Sequence, residues 1–369
     1  MKAESPRLNR LRQSLESSGE AALTSFWEEL AEQGTPLIEA DPHDDDVALV
    51  SFLWRGRAAT ANVQVRISLD GSGEDEHEMS RLPGTRLWYA TFRLPSDYMG
   101  TYKFLVSTEA DVDGPAEYPD PLNPKRFIEP RDPDRPDHAE DDIDSALFLP
   151  AAPLRGWVVR QPDLDQGQLH RRSFTSSILG NERRIWIYTP PGYHSSDEPC
   201  GLLMVLDGRF FTFAIDTPAL LDNLLADSEI RPLAAVLVDN PGDTWKQAMA
   251  TREHELSCHP PLADFLADEL LPWIRNSYRV SNDPQQTVVA GGSAGGLAAA
   301  FVAWERPESF GNVIALPSPF WWRPVGEVEW EWLARQVARG PLQPVRFFLE
   351  VGLLESAPAP SGFPGQLLS

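Results

Sequence analysis

The apolar residues of this chain change rhythm once, and that change limits what it can fold into. Between about residues 63 and 106 they fall mainly at every second position. Val63, Val65, Ile67 and Leu69 alternate with Gln64, Arg66 and Ser68, and Trp88, Ala90, Phe92 and Leu94 alternate with Tyr89, Thr91 and Arg93. Tyr102, Phe104 and Val106 repeat the pattern, residues 47–54 are mostly apolar, and Gly71-Ser72-Gly73 and Pro83-Gly84 supply turns. A period of two at short spacing predicts a small β-sandwich. From residue 184 onward the apolar residues form short continuous runs instead, at 202–206, 233–238, 287–290, 313–316 and 347–351. Helical stretches at 217–225, 261–276 and 295–304 separate them. Apolar strands alternating with helices predict an α/β unit with a parallel-rich sheet buried on both faces. Active sites in such sheets collect at the carboxyl ends of the strands.

The remaining segments complete the expected organisation. Residues 1–40 read as an N-terminal helical segment, with Leu8, Leu11, Leu15, Ala22, Phe26 and Leu30 as a loose apolar stripe before Gly34. The sandwich is expected over 41–130, a linker rich in proline and acid over 131–165, the α/β unit over 166–355, and an irregular tail over 356–369. The proline- and acid-rich stretch 109–144 reads as a linker or as a strap lying across the first domain, the linker being favoured for its second half, because proline removes backbone donors and like charges repel. Lys and Arg total 32 against 55 Asp and Glu, a net charge of −23. That field argues against nucleic acid or an anionic membrane as partner. No apolar run of about 18 residues occurs and no apolar segment follows Met1, so a cytoplasmic protein with no transmembrane helix is expected. Cys200 and Cys258 have no metal or redox spacing and read as two reduced thiols.

One motif carries chemistry. Gly291-Gly292-Ser293-Ala294-Gly295 fits G-x-S-x-G, with an apolar strand before it and a small-residue helix after it. That is the context of a nucleophile elbow, with an ordinary strand-end turn as the alternative. Ser293 is the expected nucleophile, and the backbone N–H groups of Ala294 and of Arg209, in the Asp207-Gly208-Arg209 loop, are the expected oxyanion donors. Glu355, in the loop after the last strand, is the expected acid, in preference to Glu350 within that strand. The seven histidines, His43, His77, His138, His170, His194, His254 and His259, all precede Ser293. The chain order serine, acid, histidine therefore lacks its base. Residues 356–365 are rich in Pro, Ala and Ser, so the sheet is expected to stop after the acid-bearing strand, with one apolar edge uncovered. His254 and His259 read as loop residues rather than as a replacement base.

Several segments together resemble the enterochelin (enterobactin) esterase family. Phe52-Leu53-Trp54-Arg55, Gly100-Thr101-Tyr102-Lys103-Phe104 and Asp120-Pro121-Leu122-Asn123-Pro124 resemble its N-terminal domain. Leu206-Asp207-Gly208, Arg252-Glu253-His254-Glu255-Leu256, the elbow at Ser293, Phe320-Trp321-Trp322 and Gly352-Leu353-Leu354-Glu355 resemble its catalytic domain. The likeness spans about residues 40–355. It implies an Ig-like or E-set β-sandwich followed by an α/β-hydrolase domain of the esterase D type. It further implies a cytoplasmic serine esterase that opens the trilactone of ferric catecholate siderophores, with no cofactor and with iron entering only as part of the substrate. The family continues into a Gly-Gly-His segment, so the resemblance implies a C-terminally truncated or frameshifted member, nearly inactive as written. Arg209 and Arg252 are the expected contacts to an anionic substrate, Glu255 a further expected substrate-binding residue, and Trp321 and Trp322 the expected faces for its catechol rings. Core packing is the alternative for the tryptophans, and an Arg252–Glu255 salt bridge the alternative for that pair. A general carboxylesterase or acyltransferase and a siderophore-binding protein without turnover are the competing readings. Trp54 and Trp88 read as sandwich core rather than as a glycan-binding face.

Overall fold

The period-two segments pair as two antiparallel sheets. The structure is a computed structural model that describes residues 3–69, 75–111, 114–153, 156–195 and 197–352. The chain divides into two units, one of Met1–Ile128 with Asp142–Leu154, the other of Glu129–Asp141 with Arg155–Ser369. In the first, β1 (Leu37–Ala40), β2 (Val47–Arg55), β6 (Leu87–Pro95) and β5 (Ser80–Arg81) form one sheet in the order β1-β2-β6-β5. The other runs β4 (Asp75–Glu78), β3 (Thr60–Ile67), β7 (Met99–Thr108), β10 (Asp142–Phe148), β9 (Arg126–Glu129), with β8 (Ala116–Tyr118) also on β7. The alternation is obeyed: Val63, Val65 and Ile67 are fully buried while Gln64 and Arg66 are not. Trp88 is buried, and Trp54 packs on Phe104 and Tyr118 at 5.2 and 5.6 Å between ring centroids.

The N-terminal helices are part of this unit rather than a separate segment. Helix α1 (Pro6–Ser18) starts at Ser5, whose hydroxyl accepts from the Leu8 N–H at 3.1 Å, and α2 (Glu20–Gln33) follows directly. Their Leu8, Leu11, Phe26, Trp27 and Leu30 form one apolar cluster with Leu37, Leu53, Leu82 and Leu87 of the sandwich.

The linker expected over 131–165 is corrected. Glu129–Asp141 belongs to the second unit, and β10 lies antiparallel to β7 with Ser145 opposite Tyr102. Composition hid both facts, because the charges of the first half find buried ion partners and the strand of the second is short. Within the sandwich, the Tyr102 hydroxyl donates to Asp120 at 2.7 Å, the Asp120 N–H donates to the Ser145 hydroxyl at 2.7 Å, and Asn123 donates to the Ala146 carbonyl at 2.9 Å. These bonds fasten the Asp-Pro-Leu-Asn-Pro turn to β7 and β10.

The second unit has a seven-stranded sheet among the described residues. Its order is β11 (Gln168–Ser176), β12 (Asn181–Thr189), β14 (Leu233–Val238), β13 (Gly201–Leu206), β15 (Thr287–Gly291), β16 (Asn312–Ala315), β17 (Arg346–Leu349). The β11–β12 and β12–β14 pairs are antiparallel, and all later pairs are parallel. Helices α3 (Gly208–Phe213), α4 (Thr217–Ala226), α5 (Trp245–Glu255), α6 (Pro260–Asp264), α7 (Leu271–Ser277), α8 (Ala294–Glu305) and α9 (Trp332–Arg339) complete the unit. Residues 202–206 and 234–238 are buried throughout, because apolar clusters cover both faces of the sheet. At β17, Phe347, Phe348 and Leu349 are 42%, 59% and 58% exposed. No described helix is long and apolar enough to cross a membrane.

Both cysteines are buried and unpaired by disulfide. Burial pushes the Cys258 thiol up to about 12 and raises Cys200 as well, so neither is a thiolate near neutrality. Native protein at pH 8 is therefore expected to react negligibly with Ellman's reagent, and denatured protein to release two equivalents. Rapid reaction in the native state would contradict the packing around these thiols.

Candidate active site

Strand β15 ends at Gly291 and α8 begins at Ala294, which leaves Ser293 at the apex of a tight bend. Its backbone sits at φ +52° and ψ −129°, a conformation an L-residue adopts only under constraint. Two features supply the constraint. A Cβ on Gly291 would lie 2.4 Å from the carbonyl carbon of Gly295, so strand end and helix start touch backbone to backbone. The Ser293 N–H donates to the Pro317 carbonyl at 2.8 Å, tying the bend to the loop after β16. Ser293 itself is exposed and lines a cavity of about 480 Å³. Ala294 opens α8 and Arg209 lies in the first turn of α3, where backbone N–H groups have no intrahelical acceptor. Such N–H groups can receive an oxyanion.

Asp207 organises the opposite wall. It adopts φ +57°, and Gly208 after it presses on β14, where a Cβ would lie 2.4 Å from the Leu237 carbonyl carbon. The Asp207 carboxylate receives two bonds from Arg252, at 2.6 and 2.8 Å, and a third from Asn240 at 2.7 Å. Burial works against the Arg252 charge, but Asp207 outweighs it and raises the Arg252 pKa. The Arg252–Glu255 bridge considered from sequence is therefore replaced by an Arg252–Asp207 bridge. Arg252 remains on the cavity wall.

A buried ion cluster lies beside this wall. Asp132 and Asp239 are shared by Arg135, at 3.2 and 3.1 Å, and by Arg184, whose guanidinium lies 2.5 and 2.6 Å from them. Arg209 approaches Asp132 at 3.3 Å and donates to the Pro130 carbonyl. Burial disfavours the Asp132 charge, but bonds from Arg184 and the charges of Arg184 and Arg135 hold its pKa at about 2. Arg135, Arg209, Asp239 and Asn240 line the cavity, with Phe210, Phe211, Ile215, Trp245, Met249, Leu316 and Pro317 as its apolar face.

Other expected site residues lie elsewhere. Glu255 is buried in a two-pronged pair with Arg183, at 3.0 and 2.9 Å, and is not on the cavity wall. Its expected role as a substrate contact is corrected: a carboxylate that deep needs a guanidinium, and Arg183 supplies it. Trp321 packs edge-on to Trp330, and Trp322 on Trp332 and the core, each at 6.0 Å, so neither lines the cavity. Trp245, stacked on His138 at 4.4 Å, is the tryptophan on that wall. His254 and His259 pack on each other at 4.4 Å, outside the lining. Glu350 follows β17, exposed, and Glu355 lies outside the described residues.

The sequence reading missed Trp245, Met249, Arg135 and Asn240. Asn240 had a signal, since it follows the apolar run of β14 at the sheet's carboxyl edge. Arg135 had none, being more than 150 residues upstream of the elbow.

Comparison with known proteins matches residues 176–361 to a family profile described as "Putative esterase" and residues 49–158 to one described as "Enterochelin esterase, N-terminal". The chain is 30% identical to an iron(III) salmochelin esterase of Escherichia coli O6:H1, over 95% of this chain and 86% of the relative. It is also 30% identical to an iron(III) enterobactin esterase of Dickeya dadantii, over 83% and 73% respectively. The structure of an enterobactin esterase from Shigella flexneri, crystallised in the presence of enterobactin, superposes with a TM-score of 0.70 at 26% identity, covering 88% of this chain and 84% of that one.

Glu255→Ala leaves Arg183 buried without a counter-charge. It is expected to destabilise the second unit by about 3–5 kcal/mol, read as a lowered urea midpoint, while ligand affinity at the cavity is preserved. Loss of affinity with unchanged stability would return Glu255 to the site.

Proposed function

This chain belongs to the enterochelin esterase family of carboxylic ester hydrolases, and we propose that it acts on ester bonds of ferric catecholate siderophores of the enterobactin type, releasing iron inside the cell. The observation that carries this reading is an exposed, strained Ser293 facing a cavity with one apolar, aromatic face and one arginine-rich face. An aromatic, anionic ester needs both. The chain's net charge of −23 repels such a substrate at long range, but charges beyond about 8 Å are screened at physiological salt while arginines on the cavity wall are not.

In the proposed reaction the Ser293 hydroxyl attacks the lactone carbonyl, giving a tetrahedral oxyanion held by the N–H groups of Ala294 and Arg209. Collapse expels the seryl alkoxide of the trilactone, which takes up a proton, and water then releases the acyl group from Ser293. Glu355 would orient the base in a triad. Among the described residues no histidine lines the cavity. Loss of a triad histidine costs on the order of 10⁶ in kcat, so the 369-residue polypeptide is expected to bind the ferric siderophore and to turn it over slowly. Binding without turnover is the second reading, favoured by the His254–His259 pair lying outside the cavity.

The test is binding and product formation from ferric enterobactin, followed by chromatography, for wild type and Ser293→Ala with and without added imidazole. Binding by both, with slow hydrolysis confined to wild type and accelerated by imidazole, supports the esterase reading. Binding with no product under any condition supports the second reading. Equal hydrolysis by Ser293→Ala, or no binding, overturns both. Preference for simple p-nitrophenyl esters over the trilactone would instead favour a general carboxylesterase.

A further inference from the structure

Arg209 is about 5% exposed, and its guanidinium is gripped by one short segment of the second unit. Its Nε faces the buried Asp132 carboxylate at 3.3 Å, and its Nη2 donates to the Pro130 carbonyl. Nη1 is buried and makes no hydrogen bond. The Glu129 carboxylate lies 3.6 Å from it, close enough for charge attraction but beyond hydrogen-bond reach. A buried guanidinium donor left unbonded is costly, and nearly all such groups in folded proteins find an acceptor.

The three contacts differ in how firmly they are held. Asp132 is buried among three arginines and Pro130 offers a backbone carbonyl, so neither can leave. The Glu129 side chain is 19% exposed and lines the same cavity as Ser293. The contact of Arg209 that a ligand in the cavity can reach is therefore Glu129.

Resting on the siderophore-esterase reading, we propose that Glu129 is a resident competitor for Arg209: an anionic oxygen of the ligand takes its place at Nη1, and Pro130 and Asp132 fix the direction in which that donor points. Glu129 thereby sets how strongly negative a ligand must be to enter. A neutral aromatic ester gains nothing at Arg209, whereas an oxygen carrying full negative charge displaces the carboxylate and completes the missing bond. The segment that does this lies in the span matched by the N-terminal family profile, outside the span matched by the esterase profile.

The test uses the full chain and 2,3-dihydroxybenzoate, an aryl carboxylate with neither ester nor iron, titrated calorimetrically at low salt. Glu129→Gln is expected to tighten binding about two- to fivefold, the scale of a partly exposed ion pair. Arg209→Met should abolish the gain, so that Arg209→Met and Glu129→Gln/Arg209→Met bind equally weakly. Urea midpoints report whether each variant is folded. Unchanged or weakened binding by folded Glu129→Gln, or a gain that survives Arg209→Met, overturns the proposal, as does the absence of binding by both wild type and Glu129→Gln. Failure of the siderophore reading looks different: the aryl carboxylate binds with the Glu129 dependence while ferric enterobactin does not bind.

Discussion

The carboxylate of Asp207 is the knot on which the site depends. It stands between β13 and α3, accepts two bonds from Arg252 of α5 and one from Asn240 at the end of β14, and lies 3.0 Å from where a Cβ on Gly295 would be. Three elements and the elbow thus meet on two oxygens. In a buried setting such a charge persists only with its bonds complete, and stripping one partner from a buried pair costs several kcal/mol. The same contact leaves Arg252 spent as a free cation, which is why the anion-binding reading moves toward Arg209.

A serine at φ +52° costs of order 1–3 kcal/mol. Backbone contact between Gly291 and Gly295, the bond from Ser293 to Pro317 and the packing of Gly296 under Ser318 supply the compensation. The gain is a hydroxyl held out of the sheet at the mouth of a helix, where partial positive charge and free N–H groups accumulate. A side chain at Gly291 or Gly296 would strike backbone or Ser318, so these two glycines are a packing requirement of the bend.

Electrostatics work on two scales. The molecule as a whole is strongly acidic, yet Arg135, Arg209 and Arg252 line the cavity, each braced by a buried or partly buried carboxylate. Acids distributed over a large surface are damped by salt, whereas a guanidinium on a low-dielectric wall acts at contact distance.

Much of the fold was legible in the chain because hydrophobic periodicity is a local property. Val63, Val65 and Ile67 had to share a face, residues 202–206 had to be covered on both, and Gly291 to Gly295 had to be a tight turn, since each follows from neighbours in sequence. The elbow serine was legible for the same reason. What tertiary structure alone decided was the pairing of charges and the lining of the cavity. Whether Arg252 would meet Glu255, three residues away, or Asp207, 45 residues away, depends on how α5 packs against the β13 loop. Trp321 and Trp322 carry the same aromatic chemistry as Trp245, and only the path of the chain puts Trp245 on the cavity wall. Arg135 and Glu129 reach the site from a stretch that reads as proline-rich linker, because composition records charge but not the partner that charge will find. Local pattern dictates which surfaces must be buried, and long-range geometry chooses which side chains meet there.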